Sequence, residues 1–394
     1  MRKDLNDYLA CLYVYFAKRN DKRKHQKAPH SHRRVQILSL FGWTNIVQPY
    51  RPKEGFALCA ALGILGKTTP TARELISRCG ALGGSFKEAK DTLCRLTGMD
   101  LSSSKLRNIS LAEGEAAYDE LQNPSSDIRS YSSKPKDAVT KVDHTLFSMA
   151  DGGSANCCKV DTCNTKGKNG DATTRQIRVA IFGEYEWLDK NAHPIPYTNS
   201  FSYAVCGGNI EEFTATLRKH GLSRGCNTAT RMHCLADGET ALEKAFRDAF
   251  PHAIFTNDFY HTCEHLHECI KIIIKDSACC EKEYIYSRNL LHRYGAKSVI
   301  KRLHTYYEDK LNEHPDALDH LRYLQKREDN MCYSQRRKEG LHIGTGHIEA
   351  AVRILIVRRT KQAGMHWRHV NAVYIAALHA KYRSHRKMTS APTK

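Results

Sequence analysis

The chain of 394 residues has no long apolar run: the longest, residues 9–17 and 57–65, are nine residues each. A membrane-spanning helix needs about 20 apolar residues, so none is predicted. The first run follows Arg2 and Lys3, but Asp4 and Asp7 interrupt its flank, and basic residues follow where a cleavage site would stand. No secretory signal is expected from that pattern. With 24 Gly and 11 Pro, and no internal repeat, a collagen-like or low-complexity chain is excluded. Acids are missing altogether from residues 350–394, which carry ten Lys and Arg. The 15 cysteines are an odd number, so they cannot form a complete disulfide framework, and a reducing compartment is the better expectation. The reading is a soluble intracellular protein, cytoplasmic or nucleoid-associated, built from two or three domains at about 150 residues each.

What is present is positive charge. There are 61 Lys and Arg against 42 Asp and Glu, a formal net charge of +19. Residues 18–34 hold eight Lys and Arg, three His and only Asp21 as an acid. Two basic ends on a basic chain suggest a polyanionic partner, and double-stranded DNA is the expected one. The plainer alternative is a solvated surface. No strongly amphipathic basic helix accompanies the ends, so a membrane surface is not expected.

Local signals divide the chain. Two partly alternating, β-branched runs flank Gly42 within residues 34–50 and predict a hairpin. Residues 55–65 and 71–79 read as helices. Ser85 and Glu88 form a capping box, followed by a helix with Phe86, Ala89, Leu93 and Leu96 on one face. Gly98 ends it, and Ser102 caps a second helix carrying Lys105 and Arg107 near its start. This is the layout of a helix-turn-helix, whose second helix meets base edges and phosphates. An ordinary helical hairpin fits the same spacing.

Residues 122–137 are rich in Ser and Pro and read as a linker. Strands follow, over residues 145–150, 176–185 and 201–206, then a helix over 211–220. A strand over 230–236, a helix over 239–250 and a strand over 253–256 complete the alternation. The remainder is almost wholly helical. A meander followed by α/β crossovers is the order of a ribonuclease-H-like fold. The expected class is therefore α+β to α/β. A basic arm (1–34) leads into a mostly helical DNA-binding region (35–121). After the linker comes a ribonuclease-H-like catalytic domain (138–382) with an α-helical insertion over about 263–340. A basic tail (383–394) closes the chain.

Asp151 and Asp237 each end an apolar run and precede a glycine, and each is placed at the C-terminal end of a strand. Glu349 follows the turn Gly344-Thr345-Gly346 on a late helix. Three converging carboxylates make an oxygen-rich cage for Mg²⁺ or Mn²⁺. Two such ions, about 3.5–4 Å apart, activate a water or a 3′-hydroxyl and stabilise the leaving oxygen of an in-line phosphoryl displacement. Against this, any three of 42 acids can be strung into a triad, and Asp-Gly is also an ordinary turn pair.

Longer blocks point further. Met331-Cys-Tyr, the run Gly340-Leu-His-Ile-Gly-Thr-Gly-His-Ile-Glu349 and the run Arg358-Arg-Thr-Lys-Gln-Ala-Gly-Met-His-Trp367 stand in that order. Ala150-Asp-Gly is followed by Lys166-Gly-Lys-Asn-Gly-Asp and by Thr174-Arg175. Leu235-Ala-Asp-Gly is followed by Phe250-Pro-His-Ala, Asp258-Phe-Tyr-His261 and Glu264-His-Leu266. Over residues 37–382 this order resembles the DDE transposases of the Kra-type insertion-sequence family, with the Lre-type group as relatives. The resemblance implies Asp151, Asp237 and Glu349 as the catalytic, metal-binding triad, with Asp258 and His261 supporting it. Departures are visible. Ala236 and Glu239 flank the second aspartate pair where Gly and Ala are usual, Thr345 replaces a serine, and Arg353 stands where lysine is common. Paired zinc-ribbon cysteines are missing near the start.

The expected activity is transposon-end cleavage and strand transfer by a homo-oligomer on DNA. Lys166, Lys168 and Arg175 are expected as phosphate contacts, or as a solvated loop. Arg353, Arg358, Arg359, Lys361 and Trp367 are expected to contact DNA near the metal site. Two rivals stay open: an inactive or repurposed transposase that only binds DNA, and a ribonuclease-H-like nuclease without strand transfer. His261, His265 and Cys269 share a helix face and are metal-capable, as are Cys157, Cys158 and Cys163. In both groups packing is the preferred reading.

Overall fold

The computed structural model describes residues 10–16, 19, 30–53, 55–124, 145–163, 165–167, 170–186, 195–227 and 229–384. Most of the basic arm and of the linker, together with Lys168 and all but the first two residues of the basic tail, lie outside the described residues. The chain divides into two compact units. The first holds 1–119 with 358–365 and 370–382, and the second holds 120–357 with 366–369 and 383–394.

In the first unit, β1 (Ser31–Ser39) and β2 (Gly42–Tyr50) pair antiparallel from Ser31↔Tyr50 to Ser39↔Gly42. Gly42 at φ 102° makes the tight reversal that the sequence predicts there. Only Ala57–Ala61 (α1) is helical in the stretch read as a longer helix, because Gly63 and Gly66 take positive φ and bend the chain. Then come α2 (Pro70–Leu82), α3 (Phe86–Thr97) and α4 (Ser103–Gln122). The capping box of α3 forms as its sequence demands, and Gly98 closes that helix at φ 64°. Met99 and Leu101 are buried beneath the turn, in one core with Leu38, Ile76, Leu93 and Leu106. A late helix, α15 (His369–Arg383), lays its backbone on α4 at Gly114, where a Cβ would stand 2.6 Å from the Tyr374 carbonyl oxygen.

The second unit is a mixed α/β structure, compatible with a ribonuclease-H-like fold. Its central strand is β3 (Thr145–Asn156). A short helix α5 (Lys159–Thr162) and the small ladder β4 (Lys166–Gly167) with β5 (Gly170–Asp171) follow. The long β6 (Thr174–Glu186) runs antiparallel to β3 and to β8 (Ser202–Cys206), with β7 (Ile195–Pro196) on its end. After α6 (Ile210–Ser223), β9 (Arg231–Ala236) returns parallel to β3. After α7 (Thr240–Ala249), β10 (Ile254–Asn257) adds parallel to β9. The order β10-β9-β3-β6-β8 is an antiparallel meander continued by two crossovers. Inward side chains such as Phe182, Phe213, Cys234, Leu242 and Phe246 form the core between the sheet and α6 and α7.

A separate helical core follows. It is built from α8 (Phe259–Ile273), α9 (Ser277–Tyr294), α10 (Ala296–Glu313), α11 (Pro315–Gln325) and α12 (Tyr333–Lys338) around Leu266, Leu291, Leu303, Leu321 and Tyr333. The chain then returns to the sheet as α13 (Gly346–Val352) and a π-turn over Arg353–Val357; the short α14 (Arg358–Thr360) follows and belongs to the first unit.

One boundary changes. The catalytic domain was expected to run to residue 382, but 358–365 and 370–382 fold with the first unit. The reason lies in buried polar contacts that no local pattern announces. Arg359 donates to the Gly84 carbonyl at 2.9 Å and to the Gly80 carbonyl at 3.4 Å, and His379 meets the Ala81 carbonyl.

Candidate active site

Strand register assembles the carboxylates. In the parallel β3–β9 ladder Met149 lies opposite Leu235, and that ladder stops there. Asp151 is two residues past Met149 and Asp237 two past Leu235. With a side-chain period of two, both stand on the same face of their strands as that pair. Asp237 therefore sits just past the end of β9, as its sequence suggests. Asp151 does not end a strand: β3 continues to Asn156, paired with β6 through Asp151↔Val179.

The glycines after Asp151 make no turn either. Gly153 opens a passage for a helix. A Cβ on Gly153 would lie 2.7 Å from Val352 Cγ1 and 2.9 Å from Ile356 Cδ1, so α13 and the π-turn can cross β3 only over a glycine. That crossing brings Glu349, in the first turn of α13, to the same cavity as the two aspartates. The cavity has a volume of about 560 Å³. Asp151, Asp237 and Glu349 line it together with Tyr260, His261, Glu264, His342, Thr345 and His347. Among the described residues, no Lys or Arg lines it.

Asp258 fixes the approach of Glu349. Its carboxylate is 1% exposed and holds two segments at once. Oδ1 accepts the His261 N–H at 2.6 Å and caps α8, while Oδ2 accepts the Thr345 N–H and, at 2.7 Å, the Thr345 hydroxyl. The same hydroxyl faces Glu349 Oε1 at 3.4 Å. Thr345 thus does locally what the serine expected there could do, and Asp258 is the clip between α8 and the turn before α13. His261 reaches the cavity and meets Glu264 Oε2 through Nδ1 at 3.3 Å.

The electrostatics are those of crowded acids. Burial pushes the Asp151 carboxyl up to about 6. Asp237, Glu349 and Glu239 add to the rise, while the Gly152 N–H, donating at 2.6 Å, opposes it. Glu239 is raised too, first by burial and then by Asp237, and its N–H donates to Asp237 Oδ1 at 3.0 Å. Burial lowers the His342 imidazole to about 4 and lowers His347 as well, so one wall holds neutral rings at pH 7. Among the described residues, no group of three or more His, Cys, Asp or Glu is arranged to hold a metal ion as it stands. The donor chemistry of Asp151, Asp237 and Glu349 nonetheless fits a hard divalent cation: all donors are oxygens, and their mutual repulsion is what such a charge relieves.

Several expected DNA contacts have other employment. Arg359 is 3% exposed, lies over the Phe86 ring at 4.5 Å and is lowered to about 10 by burial; it cannot present its guanidinium to DNA. Trp367 is buried, and its backbone bridges Asn156 and Cys158 at the exit of β3. Lys105 lies over the Trp43 ring at 4.1 Å, so in the start of α4 only Arg107 of the pair is exposed. Arg175 donates to Thr165 Oγ1 at 3.3 Å. Lys166, Arg353, Arg358 and Lys361 are exposed, and none of them lines the carboxylate cavity. Of the metal-capable groups, Cys269 is buried in the helical core with its thiol pushed up to about 12, and His265 pairs with His320, Nδ1 to Nδ1 at 2.8 Å, while Cys158 is half-buried and Cys163 exposed. Cys157 is buried beside the Ala155 carbonyl.

Sequence reading missed Glu239, Tyr323 and Arg327. Glu239 was visible only as a departure next to Asp237. Tyr323 and Arg327 lie far along the chain in the helical insertion, and nothing local marks them.

Comparison with known proteins adds little. No family model matches the chain, and no curated protein does, so the Kra-type and Lre-type resemblance gains no support there. Among solved structures, a Drosophila P element transposase strand transfer complex aligns over 82% of this chain and 81% of that one, with 11% identity and a TM-score of 0.27. A likeness of that size decides neither fold nor activity. Among the described residues no helix is long and apolar enough to cross a membrane.

Proposed function

We propose that the chain is a DNA transposase of the DDE type, which cleaves transposon ends and transfers strands from a ribonuclease-H-like domain. The observation that carries this reading is the shared cavity of Asp151, Asp237 and Glu349. They come from the central strand, the end of its parallel neighbour and a helix crossing over Gly153. Such a set suits phosphoryl transfer, and the net charge of +19 suits a DNA substrate. Asp151, Asp237 and Glu349 would hold Mg²⁺ or Mn²⁺, which when bound supplies the positive charge that favours a hydroxide-like nucleophile and a leaving 3′-oxygen. The chain's own groups do the rest. Asp258 holds the turn that presents Glu349. The half-buried His342 and His347 rings stay neutral and leave the carboxylates' charge unopposed. Arg107, Lys166 and Arg353 offer exposed charge for the phosphate backbone, and DNA paired at two ends implies a homo-oligomer.

The test is a nicking and strand-transfer assay on labelled DNA ends with Mg²⁺ or Mn²⁺. Glu349→Gln is expected to lose cleavage by at least about a thousandfold while still shifting the DNA, because the lost interaction acts in the transition state. Undiminished cleavage by that variant sinks the assignment. DNA binding by the wild-type chain without any nicking identifies a repurposed binder. Nicking without joining of a pre-cleaved end identifies a plain nuclease.

A further inference from the structure

The second carboxylate does not stand on the sheet alone. Asp237 and Gly238 form a turn just past β9, with Gly238 at φ 95°. Both carbonyls of that turn are taken by the helical insertion. The Tyr323 hydroxyl donates to the Asp237 carbonyl at 2.5 Å, and Arg327 Nε donates to the Gly238 carbonyl at 2.7 Å. The two donors are locked to each other, since the Arg327 guanidinium lies 4.3 Å from the Tyr323 ring centroid and its Nη1 donates to the Tyr323 carbonyl at 3.2 Å. Each is also fixed from elsewhere. The Tyr323 ring stacks on His265 at 3.8 Å, Asn257 Nδ2 meets its hydroxyl at 3.4 Å, and Arg327 Nη2 reaches Thr240 Oγ1 at 3.3 Å. The fit leaves no slack, because a Cβ on Gly238 would lie 2.4 Å from the Tyr323 hydroxyl and 3.0 Å from Arg327 Nε.

Resting on the proposed reading of the cavity, we infer that Tyr323 and Arg327 are positioning residues for Asp237. The insertion sets the orientation of the second carboxylate through the two peptide carbonyls of its turn. Neither side chain lines the cavity. They act by fixing the backbone from which the Asp237 carboxylate swings. A donor lost at either carbonyl lets that peptide plane turn, and a small displacement at a reacting centre is costly.

Tyr323→Phe removes the hydroxyl and keeps the ring on His265, and Arg327→Met removes the guanidinium. Each is expected to lower kcat for nicking about thirtyfold to a hundredfold with KM for the DNA end unchanged. Each is also expected to weaken binding of Mn²⁺ alone, followed by electron paramagnetic resonance without DNA, by about threefold to tenfold, below the usual cost of removing a partner bonded to the ligand itself, because these donors act through the backbone. Arg327→Lys keeps one donor and should recover most of both losses. Thermal unfolding run in parallel separates positioning from collapse: a fall in kcat and Mn²⁺ affinity at unchanged Tm supports the inference. Wild-type kcat and Mn²⁺ affinity in Tyr323→Phe and Arg327→Met overturn it, as does a loss that tracks only a fallen Tm. Glu349→Gln in the same assays reports on the cavity reading itself. If it is inactive while both positioning variants behave as wild type, this inference alone fails.

Discussion

Carboxylates occur in two settings in the second unit, and the fold treats them in opposite ways. Glu283, in the helical core, is 7% exposed and receives Arg302 through two bonds of 2.7 and 2.8 Å, with Ser287 and Tyr307 donating as well. Those partners outweigh burial and hold its carboxyl below the usual range. Asp151 sits half-buried among Asp237, Glu239 and Glu349 and is pushed the other way, to about 6. Among the described residues no Lys or Arg makes an ion pair with Asp151, Asp237 or Glu349. Where a carboxylate serves the scaffold, its charge is answered inside the protein. At the cavity the answer is withheld, and the charge is left for something that binds.

The sharpest test of that contrast is to remove the answer. Arg302→Met should destabilise the protein by about 2–3 kcal/mol at pH 7 in chemical denaturation, somewhat below the usual cost of orphaning a buried partner because Arg302 keeps some exposure. The sign follows from the lowered carboxyl. The pair stabilises above the unfolded pKa and is lost as pH falls through the folded one, so the penalty of the variant should shrink below pH 4. An equal penalty at pH 3 and pH 7 would show that packing, not charge, is what Arg302 supplies.

A smaller effect separates two neighbours of the same charge. Arg359→Met should cost about 2 kcal/mol, because it leaves the Gly80 and Gly84 carbonyls without their donor. Arg358→Ala, at an exposed position, should stay within about 0.5 kcal/mol. If Arg358 contacts phosphate, its loss flattens the salt dependence of DNA binding by about one unit of slope. Equal stability losses in the two variants would undo the assignment of Arg359 to the core.

The smallest expected effect has the opposite sign. Without divalent cation, Asp151→Asn should raise stability at pH 7.5 by about 1 kcal/mol, discounted for partial exposure. A raised carboxyl pKa means the ionised form disfavours the fold. That cost is absent below the unfolded pKa, grows as pH climbs toward about 6 and is complete above it. The gain should therefore vanish at pH 3.5. A loss of stability at pH 7.5 would place Asp151 with Glu283, among the answered carboxylates.

Much of the local structure was legible, and the site only partly so. The capping box of Ser85 and Glu88, the Gly98 stop and the reversal at Gly42 were readable because each depends on a few neighbouring residues. Asp237 read correctly as the residue after a strand. Asp151 did not, because Asp-Gly-Gly has the composition of a turn, whereas here Gly153 makes room for Val352 and Ile356, about 200 residues on. The Arg358–Trp367 run misled for a related reason. A basic, aromatic segment looks like a DNA contact, and only the packed core shows that Arg359 and Trp367 are enclosed.

By itself the sequence determined the excess of positive charge, the lack of a spanning apolar helix among the described residues, and the succession of strands and helices. These follow from composition and short-range periodicity, which involve no distant partner. Tertiary structure alone decided three further things. Strand register set Asp151 beside Asp237. Asp258 clipped the turn before Glu349 to α8. Tyr323 and Arg327 took the carbonyls that hold Asp237. Each depends on groups far apart in the chain meeting within hydrogen-bond reach, and only the closed fold arranges such meetings.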